Sequence, residues 1–121
     1  MLAQFLLPET VAREDGTGAE IPFENKVIHL TLGITRILAH ASLDVSVWGS
    51  ADGEHWRFLI AFPQKFYCGT YSMVLDMRRH ADVRYLRAQW KMGRWAQDEL
   101  APLFGFYLRA EEGRLVYTAQ N

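Results

Sequence analysis

The sequence predicts an all-β fold: an antiparallel β-sandwich of jelly-roll type with about seven to nine strands. Three observations predict it. Apolar residues recur at every second position in several segments, which is the period of a half-buried strand. Turn dipeptides and prolines interrupt those segments at short, near-regular spacing. No connection offers the roughly dozen residues that a crossover between parallel strands needs. The 121 residues contain no internal repeat, low-complexity stretch or linker, so a single domain covering 1–121 is expected.

Each element follows from its own pattern. In Lys26 to Arg36, Ile28, Leu30, Leu32 and Ile34 share one face, with His29, Thr31 and Thr35 on the other. Leu43, Val45 and Val47 alternate with Asp44, Ser46 and Trp48 in the same way. His55 to Phe62 and Thr70 to Met77 are rich in aromatic and apolar residues and read as strands. From Val83 to Lys91, Leu86, Ala88 and Trp90 point inward, against Tyr85, Arg87, Gln89 and Lys91. Near the C-terminus, Phe104, Phe106 and Leu108 alternate with Gly105, Tyr107 and Arg109.

The turns are marked by residues that suit them. Asp52-Gly53 supplies the positive φ of a tight hairpin. Asp15-Gly16 and Glu112-Gly113 read as two further reversals, while Pro63 and Pro102 mark strand boundaries. Arg94 to Leu100 reads equally as a helix of about two turns or as an irregular loop.

Composition narrows the function. Thirteen basic residues against fourteen acidic ones leave a net charge of -1, which removes a global electrostatic case for nucleic acid. One cysteine, Cys68, excludes an internal disulfide and a cysteine-based zinc site. Its neighbours Phe66 and Tyr67 lead to the expectation of a buried or half-buried small residue. No apolar run approaches the roughly 18 residues of a membrane helix. Met1 to Pro8 is too short, and lacks the basic start, for a secretory signal, so a cytoplasmic location is expected.

The residue types of catalysis are present without their spacing. His29, His40, His55 and His80 include no pair four residues apart, so no helical zinc motif exists. Ser50 opens a hairpin instead of a strand-to-helix elbow, and is expected to support that turn. The neighbouring acids Glu14-Asp15, Asp98-Glu99 and Glu111-Glu112 point apart and read as solvated loop charges. Calcium-loop and phosphate-loop patterns are missing. The expectation is a protein that is not an enzyme, with no metal or cofactor.

Two features carry a binding argument. Among the four tryptophans, Trp56 and Trp90 fit inward, core positions, whereas Trp48 lies on the outward face and Trp95 in the connection that follows. An exposed indole can stack against a sugar ring or a partner's side chain. Charge is also segregated. Arg78, Arg79, Arg84, Arg87, Lys91 and Arg94 accompany one acid, Asp82, while Glu9, Glu14, Asp15, Glu20 and Glu24 accompany one base, Arg13. Internal pairing of the two zones ranks first, contact between subunits second, and a nucleic-acid backbone third. The candidate ligand or partner site is therefore Trp48, Tyr85, Arg87, Gln89, Lys91, Arg94 and Trp95.

The stretch LDVSVWGSADGEHW, Leu43 to Trp56, resembles a signature of discoidin-like (coagulation factor type C, galactose-binding-like) modules, where a strand ends in a Ser-x-Asp-Gly-x-x-Trp hairpin. VRYLRAQW, Val83 to Trp90, resembles the Arg-Tyr-aliphatic-Arg strand that follows there. The same features are similar to small β-sandwich proteins of phage tails and virion surfaces. The likeness covers about residues 42 to 91, and the end-joining disulfide frequent in discoidin modules has no counterpart here. It implies a jelly-roll-like sandwich, and fold likeness does not by itself assign function. The virion-surface likeness implies a structural or assembly subunit, a homo-oligomer or protein-binding module, located in a virion if phage-derived. The discoidin likeness implies the alternative, a carbohydrate-binding module with a glycan as first ligand. No membrane partner is expected.

Overall fold

The computed structural model describes residues 4–24, 26–96 and 100–113. Its strands are β1 (Gln4–Ala12), β2 (Gly16–Thr17), β3 (Ile21–Pro22), β4 (Val27–Ile37), β5 (Ala41–Ser50), β6 (Arg57–Ala61), β7 (Gly69–Asp76), β8 (Tyr85–Arg94) and β9 (Phe104–Glu112), with a 3₁₀ turn at Met77–His80. One sheet has the order β1-β9-β4-β7; the other runs β2-β8-β5-β6, with β3 also paired to β8. All pairings are antiparallel. Taking β2 and β3 as one interrupted strand gives eight strands in the double Greek-key order of a jelly roll.

The alternation in the sequence becomes the core between the sheets. Ile28, Leu30 and Leu32 of β4, Leu43 of β5, Leu86 and Ala88 of β8, and Phe104, Phe106 and Leu108 of β9 are fully buried. Each large apolar side chain so placed contributes about 1.5–3 kcal/mol of transfer free energy. Trp90 and Phe106 meet edge to face with ring centroids 5.6 Å apart, joining β8 of one sheet to β9 of the other.

Strand β1 has no counterpart among the expected elements. Its register slips between Phe5 and Leu7 and again between Leu7 and Thr10, around Pro8, so alternation is lost although Leu6 and Leu7 are both buried. An edge position tolerates the missing N–H of a proline. Asp15-Gly16 is not a hairpin but the crossing from the first sheet to the second. Trp90 lies over that crossing and donates from Nε1 to the Glu14 carbonyl at 3.0 Å. A Cβ at Gly16 would sit 2.3 Å from the Trp90 ring, so glycine is required there for space.

The Asp52-Gly53 turn forms as expected, with Gly53 at φ 82°. Ser50, 2% exposed, accepts the Gly53 N–H at 2.8 Å through Oγ, and Asp52 accepts the Glu54 and His55 N–H groups. Glu112 lies within β9, and the Gly113 N–H donates to the Val27 carbonyl at 2.9 Å, extending the ladder with β4; the residues after 113 that would complete the expected reversal lie outside the described residues. Arg94 closes β8, and residues 97–99 of the expected helix or loop lie outside the described residues.

Two burial expectations are corrected. Trp56 is half-buried, not core; it precedes β6, and the Arg87 guanidinium stacks on its ring at 4.2 Å. Cys68 is exposed: it lies in the loop between β6 and β7, where its neighbours Phe66 and Tyr67 are exposed too. Among the described residues no helix is long and apolar enough to cross a membrane.

Candidate functional site

Successive strands of a jelly roll run in opposite directions, so the connections gather at two ends. At one end the β4–β5 turn, the β6–β7 loop and the β8–β9 connection meet. There Leu38 N–H donates to the Leu103 carbonyl, Trp95 N–H to the His40 carbonyl, and Lys65 bridges to Leu43. The Asp52 turn and the 3₁₀ turn lie at the opposite end, joined by the bond from Arg84 N–H to the Ser50 carbonyl.

This architecture divides the candidate residues into two groups. Tyr85, Arg87, Gln89 and Lys91 project from the outer face of the second sheet, as their alternation requires, and Trp48 joins them from β5. Register places Trp48 opposite Arg87, Ser46 opposite Gln89, and Asp44 opposite Lys91. Trp48 is half-buried; its ring meets Phe58 of β6 edge to face at 5.8 Å, and its Nε1 donates to Ser46 Oγ at 3.0 Å. Two adjoining depressions share Trp48, Gln89 and Lys91 in their walls. Asp44 lines one of them and accepts a 2.9 Å bond from the Gln64 amide. A flat indole is thus bordered by a carboxylate, an amide and an ammonium group, all able to bond hydroxyls.

Arg94 and Trp95 lie elsewhere, at the loop end. Arg94 directs Nε to the Ala39 carbonyl and Nη1 to the Leu100 carbonyl, bracing the turn and the connection. Trp95 is 56% exposed. Its ring meets His40 at 6.1 Å and Phe66 at 5.9 Å, and Phe66 meets Tyr67, which is 75% exposed, at 6.4 Å. These rings form one connected aromatic surface. His40 holds φ 64°, a left-handed conformation that costs a non-glycine residue about 1–2 kcal/mol. In that conformation the turn sets the imidazole beside the Trp95 indole.

The sequence missed His40, Phe66 and Tyr67. Phe66 and Tyr67 were visible only as neighbours of Cys68, and their loop position after Pro63 was the available signal of exposure. The His40 contact depends on a turn geometry that no residue pattern announces.

The acidic N-terminal zone does lie beside the basic strand, because β2 and β3 pair with β8. Backbone and carboxylate bonds join them: Asp15 accepts the Met92 N–H at 2.8 Å. Among the described residues no side-chain ion pair links the two zones. The basic zone's ion pairs run elsewhere, Arg78 to Asp76 at 2.9 Å, and its one acid, Asp82, pairs with Arg57 of β6 at 2.7 Å. The Arg57 bond pulls the Asp82 carboxyl down to about 2, and the Arg78 bond does the same for Asp76. In the turn, N–H groups of His55 and Glu54 hold the Asp52 carboxyl far below the ordinary carboxylate range. Ser50 and His55 both bond Asp52 rather than each other, so the three form a turn scaffold and not a nucleophile with its base. No group of three metal-ligating side chains occurs among the described residues.

The fold and its surfaces define a β-sandwich compatible with a discoidin-like or similar module. The chain matches no protein-family model, and no curated protein resembles it significantly.

Proposed function

We propose that this protein is a non-enzymatic assembly module that associates through the aromatic surface at its loop end, with a second copy of the chain as first partner. The observation that carries the reading is the connected, solvent-facing array of His40, Trp95, Phe66 and Tyr67. Aromatic anchors dominate the energetics of protein interfaces, and exposed apolar patches of this kind mark interaction sites. Two copies meeting symmetrically would bury the same rings from both sides. A place in a phage-like particle follows from the virion-surface resemblance and belongs to this proposal. Amide hydrogen exchange at low and high protein concentration tests it. The expected result is slower exchange with concentration in 38–40 and 62–68 and at Trp95; uniform exchange at both concentrations contradicts it.

A second reading has an observation of its own. The depressions around Trp48, bordered by Asp44, Gln89 and Lys91, suit a glycan whose C–H face stacks on the indole. Glycan screening with wild type and Trp48→Ala separates the readings. Binding lost in the variant supports the carbohydrate module, and binding retained in it removes Trp48 from any site.

A further inference from the structure

We propose that the cavity between the 3₁₀ turn and the start of β4 binds a small organic anion, a carboxylate or phosphate carried on an apolar body. It lies at the end of the sandwich opposite the aromatic surface and is independent of the assembly reading. Its floor is Phe23, Met77 and Val83, each no more than 6% exposed. Backbone bonds fix floor and rim together: Phe23 N–H donates to the Arg84 carbonyl at 2.9 Å, and Met77 N–H to the Lys26 carbonyl at 2.8 Å.

The rim carries the cations Lys26 and Arg84, with Arg78 paired to Asp76, one acid, Glu24, and His80, whose Nδ1 lies 3.5 Å from the Arg57 guanidinium. Nearby aspartates do not neutralise this excess, since Asp76 is held by Arg78 and Asp82 by Arg57. Among the described residues Arg84 directs only Nη1 to a partner, at the Ala81 and Val83 carbonyls. Lys26 makes no ion pair with another described residue. A guanidinium offers paired donors that match a carboxylate or phosphate, and the ammonium adds a second charge. Charge at the rim attracts an anion, while the apolar floor favours one with a hydrophobic body over an inorganic ion.

The test is an NMR titration of the full chain with phenyl phosphate, benzoate, inorganic phosphate and benzyl alcohol, read at the Met77 and Val83 methyl groups. Phenyl phosphate or benzoate is expected to bind roughly tenfold or more tightly than inorganic phosphate, a difference of about 1.4 kcal/mol. Benzyl alcohol is expected to bind weakest. Lys26→Gln should weaken binding severalfold with the melting temperature unchanged, and Arg84→Gln should weaken it severalfold with a small fall in melting temperature, because it also gives up the bonds to the Ala81 and Val83 carbonyls. The proposal is overturned if the methyl groups do not respond, if inorganic phosphate binds as tightly as phenyl phosphate, or if neither variant changes the affinity.

Discussion

Trp95 and Trp90 are five residues apart and have opposite roles, and substitution separates them. Trp95→Ala removes a ring that faces solvent and two other exposed rings, so the fold should lose less than about 1 kcal/mol. Association should be lost in the same variant. A large fall in melting temperature would instead make Trp95 a structural residue and withdraw it from the interface. Gly16→Ala tests the other indole. Its methyl would meet the Trp90 ring, which is pinned by its bond to Glu14 and cannot swing aside. Chemical denaturation should show a loss of about 1–3 kcal/mol, the usual cost of overpacking. At this scale the sequence was legible wherever alternation was unbroken: Trp48 lies outward and Trp90 inward because period two allows nothing else. Trp56 was misread because it precedes its strand. The β5–β6 register also slips between Val47 and Trp48, and a one-residue slip exchanges faces.

Elements hold together through their turns as much as through their ladders. The Ser50 hydroxyl accepts two turn N–H groups, from Asp52 and Gly53, while itself almost wholly buried. Ser50→Ala leaves those donors without their acceptor and should cost about 1–3 kcal/mol in a denaturation experiment. The Arg57–Asp82 pair ties β6 to the segment entering β8 through two parallel bonds of 2.8 and 2.7 Å. Because folding lowers the Asp82 carboxyl from 3.8 to about 2, its stabilisation is complete above the unfolded value and fades as pH falls through the folded one. The stability gap between wild type and Asp82→Asn should therefore stay constant above about pH 5 and shrink between about pH 4 and 2. A gap that does not change over that range would remove the pair from the acid response. Turn chemistry was readable at Asp52-Gly53, where residue type sets φ. It was not readable at Asp15-Gly16, where the glycine serves a tertiary contact with Trp90, nor in β1, where Pro8 and two register slips erase the period.

The whole molecule is a closed core with two different ends. Sequence order and alternation lead to the jelly roll because eight short antiparallel strands have few ways to cover both sheet faces. The loop ends were illegible for the opposite reason: His40, Phe66 and Trp95 are brought together by three connections distant in sequence. Charge segregation pointed to the right neighbours, β2 and β3 beside β8, although backbone bonds and one carboxylate make the junction. An interface built on aromatic rings should respond little to salt, whereas one built on the acidic and basic zones should loosen as salt screens it.

Association through the aromatic end is tested by molar mass in solution, from size exclusion with light scattering across concentration at low and moderate salt. The expected result is a discrete oligomer that persists in salt and becomes a monomer with Trp95→Ala. A monomer at every concentration would contradict it, as would an oligomer that salt dissolves and Trp95→Ala leaves intact.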